Sequence, residues 1–355
     1  MEVDYLIVGQ GLAGSLLGWL LLNEKCRILI VDTGRSNASR VAAGLINPVT
    51  GMRLVKTDRV ETLLPDAIDL YQRLEGIFRQ PFYRQLPMLR LLHSSDESQQ
   101  VQRRCRDSAY SAYLGPIIPR EQIDSRLTAP FGAVLQKQTG YLSTVPLLDC
   151  LKKYFIADGS YLQCRFDYQQ LHIDNQLIRW RQYRAKNIVF CEGYRCRDNP
   201  WFSWLPMQPV KGEILTLETE ETLPETMINS GNWLIPLDAH QFRTGATFDR
   251  TRLDELPTGA GRQQLLEALA AFCPFVQKPR IIAQQAGVRP CTRDKKPFLG
   301  SHPQYPHLYI FNGFGAKGSL QIPYYARRFR DFLLSARLLP ASASIQRCHA
   351  AHFPG

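Results

Sequence analysis

No apolar run in this 355-residue chain reaches the ~18 residues that a membrane-spanning helix needs. The opening residues MEVD are acidic where an export signal would be basic, so no signal peptide is expected. The nine cysteines show no paired framework, and Cys191 and Cys196 stand too far apart for a CxxC pair. Reduced thiols in a cytoplasm are therefore expected, and a metal site is not. A GxSxG elbow is missing, which removes the commonest serine-hydrolase signature, and there is neither an internal repeat nor a long linker. Negative charge is in short supply: 32 acidic side chains stand against 43 basic ones, a net charge of +11. That surplus favours contact with a polyanion, nucleic acid or an acidic membrane surface, although the Arg and Lys residues are scattered and equally suit a soluble protein whose charge serves no partner.

Hydrophobic residues make up 45% of the chain and charged ones 21%, a globular composition able to bury a large core in about two domains. VDYLIV reads as a strand buried on both faces and LAGSLLGWLLL as the helix that returns onto it. Between them GQGLAG places Gly9 for a tight turn, Gly11 for close approach of the backbone to a pyrophosphate, and Gly14 for helix–strand contact, with Leu12 and Ala13 opening the helix. Asp32 ends the next strand, CRILIVD, where a carboxylate reaches the adenosine ribose. A dinucleotide is expected, but NAD and FAD share this ADP half. The far end separates them. There LYIF reads as another buried strand, NGFGAKG is a second glycine loop, and SLQIPYYARRFRDFLL reads as the helix after it. Gly313, Gly315, Ala316, Lys317, Gly318 and Ser319 would turn backbone N–H groups and a positive helix end toward the negative charge of a reduced flavin. A nicotinamide dehydrogenase leaves that loop unexplained.

With these motifs in this order the chain resembles the FAD-dependent oxidoreductases grouped with D-amino-acid oxidase, glycine oxidase and sarcosine oxidase. GQGLAG with Asp32, SRVAAGLINP around Ala43 and Gly44, NIVFCEG ending at Gly193, QPVKGEIL with NWLIPL and FRTGATFD, and finally VRPCTRD and NGFGAKG are similar to that family's motifs along nearly the whole chain. The resemblance implies an α/β fold: a Rossmann-like, GR2-type FAD-binding domain with an inserted α+β substrate domain containing an antiparallel sheet. The expected division is 1–80, 140–207 and 286–340 for the FAD domain, 81–139 and 208–285 for the substrate domain, and a frayed tail at 341–355.

The family's Gly-Leu-Arg-Pro motif falls on Arg289, whose implied role is to hold a substrate carboxylate through two parallel hydrogen bonds. The alternative for Arg289 is a structural pair with a carboxylate such as Asp294. Trp233 stands where carboxylate-binding relatives often have a tyrosine; it is either an apolar wall of the site or plain core. Lys317 either faces the flavin or points to solvent, and Lys211 reads as a strand residue at a domain junction. Cys291 lies near the flavin-facing motif without matching the attachment cysteine of sarcosine oxidases. The expected function is FAD-dependent oxidation of a C–N bond in a small amine or amino acid by hydride transfer to flavin. Two alternatives stay open: flavin-dependent modification of a carboxymethylaminomethyl group on a tRNA wobble uridine, and an FAD-binding protein without catalysis. For tRNA the candidate phosphate contacts are Arg103, Arg104 and Arg106, then Arg327, Arg328 and Arg330 on the last helix, with weak binding expected.

Overall fold

The computed structural model describes residues 1–51, 53–174 and 177–352. Two eight-stranded sheets organise the chain. In the first, Glu2–Val8 lies between Ile28–Asp32 and Tyr183–Phe190, parallel to both. Tyr183–Phe190 pairs along its first half with Ile178–Trp180 and along its second half with Leu308–Asn312. Both faces of this sheet are covered, which is why VDYLIV shows no polar alternation. Ile7, Ile28 and Ile30 pack against Leu16, Leu17 and Leu20 of the helix Leu12–Asn23 and against Phe329 of the helix Gly318–Ser335. On the other face Leu6, Val8 and Ile188 meet Phe166, Trp180 and Phe202.

The second sheet runs in the order Arg280–Arg289, Val210–Glu218, Gln241–Gly245, Asn232–Pro236, Met227–Ser230, Met88–Leu91, Ala133–Gln136, Leu114–Ile118. All neighbours are antiparallel except Met227–Ser230 and Met88–Leu91. One face holds Leu215, Leu217, Leu234 and Phe242 beneath Leu265, Leu269 and Phe272 of the helix Gly259–Phe272. Thr258 caps that helix by accepting from the Gly261 N–H at 2.9 Å. The opposite face carries Met88, Met227, Trp233 and Ile235, which join Tyr141, Ala43 and Leu45 from outside the sheet in one apolar cluster. This contact brings the loop after the second strand of the first sheet onto the second sheet.

The expected frayed tail is a correction. Within 341–355, Leu299 N–H donates to the Ala343 carbonyl at 2.9 Å, Ala343 and Ile345 are buried, and Ile345–Ala351 forms a 3-10 helix, while residues 353–355 lie outside the described residues. Two buried apolar side chains suffice to fix a segment that has no helical or strand period. Among the described residues no helix is long and apolar enough to cross a membrane, and no group of His, Cys, Asp and Glu could hold a metal ion.

Candidate functional site

At the C-terminal edge of the first sheet, Gly9 turns the chain with a φ of +105°, and a Cβ there would come 2.5 Å from the Cys191 carbonyl oxygen. A Cβ on Gly14 would overlap the Gly9 carbonyl, so helix and turn meet without side chains between them. Gly11 is the N-cap of the helix Leu12–Asn23; the neutral Ser39 hydroxyl accepts from Leu12 N–H at 3.0 Å, and no acid lies in the first turn. Its positive end is thus kept for an anion. Asp32 closes the adjoining strand and accepts from Gln10 N–H at 2.8 Å and from Gly34 N–H at 2.6 Å, one bond on each carboxylate oxygen. Each oxygen keeps a further lone pair for a ribose hydroxyl. A hollow of about 120 Å³ opens here, lined by Gln10, Asp32, Asn37, Arg40 and Lys152 among others. The Gly193 carbonyl accepts from Asn312 Nδ2 at 2.8 Å, which ties the end of NIVFCEG to the second glycine loop. A turn stripped of side chains, an unneutralised helix end, an acceptor for two hydroxyls and basic residues at the rim fit the ADP half of FAD.

Ala43 and Gly44 follow the short helix Ala38–Val41. A Cβ on Gly44 would overlap the Leu142 carbonyl, and the two residues also bond through Leu142 N–H to Gly44 O at 2.9 Å. The segment presses on the second sheet, where a Cβ on Gly287 would lie 3.2 Å from Val41. From the other end of the chain, Gly315 N–H donates to Pro290 O at 3.2 Å, which holds the second glycine loop against the residue after Arg289. Gly313 bonds the Asn312 side chain at 2.8 Å, Ser319 O accepts from Tyr71 at 2.7 Å, and Ala316 is exposed. Lys317 does not run out to solvent. Its Nζ donates to Thr57 Oγ1 at 2.9 Å, and burial, aided by Lys295 and Lys296, pushes its pKa below the ordinary lysine value.

Arg289 ends its strand half-buried, and its guanidinium lies across Gly212 of the next strand, occupying the space where a Cβ would be. Its hydrogen bonds are long, 3.4 and 3.5 Å to the Thr247 carbonyl. Asp294 is not its partner: that carboxylate binds Arg347 at 2.8 Å, so the alternative of a structural pair with Asp294 does not form. No other carboxylate pairs with Arg289 among the described residues, and burial lowers its pKa, with the Cys291 thiol opposing. Trp233 lies on the same face over Gly245, where a Cβ would sit 2.7 Å from the indole Cζ2. It is therefore both packed and on the face that meets Ala43.

Other singled-out residues take structural places. Lys211 is buried and bound to Asp254 at 2.6 Å and Leu256 O at 2.5 Å. The arginines of the last helix are largely neutralised: Arg327 pairs with Asp66 and Asp69, Arg330 with Glu24 and Asp331, and Arg328 lies over the Tyr324 ring. Arg103 and Arg104 line a surface hollow with Asp96, remote from the glycine loops in the chain. His349 and His352 lie against Trp204 with their rings tilted to the indole by 59° and 56°. The seats for Arg289 and Trp233, Gly212 and Gly245, lie inside PVKGEIL and FRTGATFD; period-two alternation along those strands is the signal that places them on the face of Arg289.

The family described as DAO, FAD dependent oxidoreductase, matches residues 4–331. The chain is 23% identical to the glycine oxidase of Geobacillus kaustophilus, over 90% of each sequence. It superposes on the crystal structure of glycine oxidase from Geobacillus kaustophilus with a TM-score of 0.82 over 96% of both chains. It is 25% identical to the tRNA 5-methylaminomethyl-2-thiouridine biosynthesis bifunctional protein of Marinobacter nauticus, across 92% of this chain and 54% of that one. The iminodiacetate oxidase of Chelativorans sp. BNC1 superposes with a TM-score of 0.80, at 20% identity, over 97% of this chain and 98% of the other.

Proposed function

The chain belongs to the DAO family of FAD dependent oxidoreductases, and from that premise we propose that it oxidises the C–N bond of a small amino acid or carboxylated amine. One observation carries the reading: Arg289 presents a largely desolvated guanidinium, seated on Gly212, with no carboxylate among the described residues to meet it. Such a charge is costly unless a ligand supplies the anion, and a planar fork fits a carboxylate better than any other small anion of a metabolite except a phosphate. The glycine oxidase and iminodiacetate oxidase among its likenesses support the same substrate class.

In this reading Gly9, Gly11, Leu12, Ala13, Gly14 and Asp32 hold the ADP half, while Ala43, Gly44, Gly193 and the loop Gly313–Ser319 hold the flavin half. Bound there, FAD would supply the acceptor for a hydride, two electrons and one proton, lost from the carbon that bears the amine. Arg289 fixes that carbon by gripping the carboxylate, which converts encounter into a positioned complex. Trp233 walls the substrate and keeps water from it. As the C–H bond breaks, the nitrogen lone pair forms C=N and the substrate leaves as an imine, which water converts to a carbonyl compound and the amine. Lys317 contributes positive charge on the side of the second glycine loop. The strands of the first sheet all fall within 1–80, 140–207 and 286–340, and those of the second within 81–139 and 208–285 apart from Arg280–Arg289, which crosses that division; this supports a nucleotide unit and a substrate unit joined by the Arg289 strand. A small substrate is favoured over tRNA because the basic cluster of the last helix is spent on internal ion pairs. A cytoplasmic location is supported by nine cysteines without a disulfide among the described residues. Anaerobic addition of amino acids and N-substituted glycines, followed at the flavin absorption band, tests the proposal: bleaching is expected with carboxylated amines and not with the same amines lacking a carboxylate.

A further inference from the structure

Arg243 is a second arginine on the face that carries Arg289. Val210 pairs with Arg289 on one side of the Val210–Glu218 strand, and Thr216 pairs with Arg243 on the other; the ladder stays regular from Val210 to Thr216. Directly paired residues share a face, as do residues an even number apart on one strand. Both side chains therefore leave the sheet on the same side, away from the helix Gly259–Phe272. Trp233 pairs with Gly245 between them, and Ile235, a member of the apolar cluster with Tyr141 and Met227, pairs with Arg243 itself.

A third arginine on this face shows what a structural one looks like. Arg90 pairs in register with Asn229, bonds its side chain, and has an acid of its own in Glu97 at 2.8 Å. Arg243 has none: its Nε is buried without a hydrogen-bond partner, and no ion pair involves it among the described residues. Burial lowers its pKa, with only the Tyr141 hydroxyl opposing. A guanidinium whose Nε–H is buried beside apolar side chains without a partner costs free energy unless an acceptor arrives.

We propose that Arg243 binds a second anionic group of the substrate, so that the amine oxidised by this chain carries a carboxylate at each end. The first carboxylate lies on Arg289, the apolar middle runs along Trp233, and the distal one ends at Arg243. The Arg289 guanidinium lies over Gly212, and Arg243 rises beside Thr216. Four strand positions span roughly 13 Å, which the reach of the Arg243 side chain shortens. That spacing favours an extended N-substituted amino diacid over a compact one. The inference rests on the amino-acid reading above and adds the chemical class.

The test uses the FAD-loaded protein and its Arg243→Met and Arg243→Lys variants. Substrates are sarcosine and N-(carboxyalkyl)glycines of increasing length. Redox-inert thioether diacids of matching length report binding through the shift of the flavin spectrum, without turnover. The expected result is tighter binding of diacids than of monoacids by the parent, with a loss of roughly 30-fold or more in diacid affinity and KM for Arg243→Met. Sarcosine loses at least tenfold less, kcat for diacids falls little, and Arg243→Lys recovers most of the preference. Equal binding of mono- and diacids by the parent, or an equal loss for both on substitution, overturns the inference. Should Arg243→Met fail to fold, the parent series and Arg243→Lys decide on the same terms. Arg243-dependent binding of inert diacids with no amine bleaching the flavin upholds Arg243 as the seat of a second anionic group and refutes amine oxidation; bleaching by amines regardless of a distal carboxylate or Arg243 does the reverse.

Discussion

The guanidinium of Arg289 rests on Gly212, and the fit allows no side chain at position 212. Removing the charge by Arg289→Leu is expected to leave FAD bound and to cost about 2–5 kcal/mol of substrate binding. Gly212→Ala is the finer probe: it displaces the guanidinium while keeping its charge, and a misplacement of about 1 Å lowers kcat/KM on the order of a hundredfold. Stopped-flow flavin reduction measures both. Unchanged reduction in Gly212→Ala would show that the arginine acts elsewhere.

Asp32 accepts two backbone N–H groups and also faces the hollow assigned to the ribose. Asp32→Ala leaves both donors without their acceptor and removes the ribose contact, so FAD affinity is expected to fall by about 1.5–3 kcal/mol. Asp32→Asn, which keeps one acceptor oxygen, should fall between. Fluorescence of FAD released on ultrafiltration gives the ranking; equal retention in all three proteins would contradict the role.

Glu192 follows the cysteine on which Gly9 turns, and accepts from Tyr168 at 2.5 Å and Asn199 at 2.8 Å. Burial raises its carboxyl to about 7 despite both hydrogen bonds. The folded protein therefore holds a proton that the unfolded chain gives up near the ordinary glutamate value. Stability from this group is complete below the unfolded pKa and is lost as pH rises through about 7. Glu192→Gln cannot titrate, so the fall in melting temperature from pH 5 to 8 should be shallower in the variant than in the parent, whatever the absolute values. Parallel curves would place the carboxyl pKa in its ordinary range.

Ile345 anchors the C-terminal segment against Gly300 of the first sheet, where a Cβ would lie 2.9 Å from its Cγ1. Ile345→Ala is expected to destabilise by about 2–5 kcal/mol, as deletion of a fully buried branched side chain does. Urea unfolding checks it; a change below about 0.5 kcal/mol would class the segment as a detached tail.

Much of this architecture was legible because each motif joins a local requirement to a residue type. Gly9 and Gly14 sit where backbone meets backbone, Asp32 ends a strand, and the apolar runs of the first sheet have the lengths of strands covered on both sides. What could not be read was pairing across the chain. Arg289 offered Asp294 five residues away, yet Arg347 from the C-terminal segment takes that carboxylate. The arginines of the last helix looked like a surface for phosphates, but Asp66, Asp69 and Glu24 from two other helices and their ends lie against them. Arg243 stands inside FRTGATFD, but nothing in that segment marks it as a ligand-facing residue; only the register of three strands places it beside Arg289.

The most direct measurement of the central claim is anaerobic reduction of the purified yellow protein by small carboxylated amines, with Arg289→Leu beside it. Bleaching of the flavin band by an amine bearing a carboxylate is expected, with a much higher concentration requirement in the variant and no bleaching by carboxymethylaminomethyl-modified tRNA. Bleaching by the modified tRNA alone, or equal bleaching of parent and Arg289→Leu by the carboxylated amine, would contradict it.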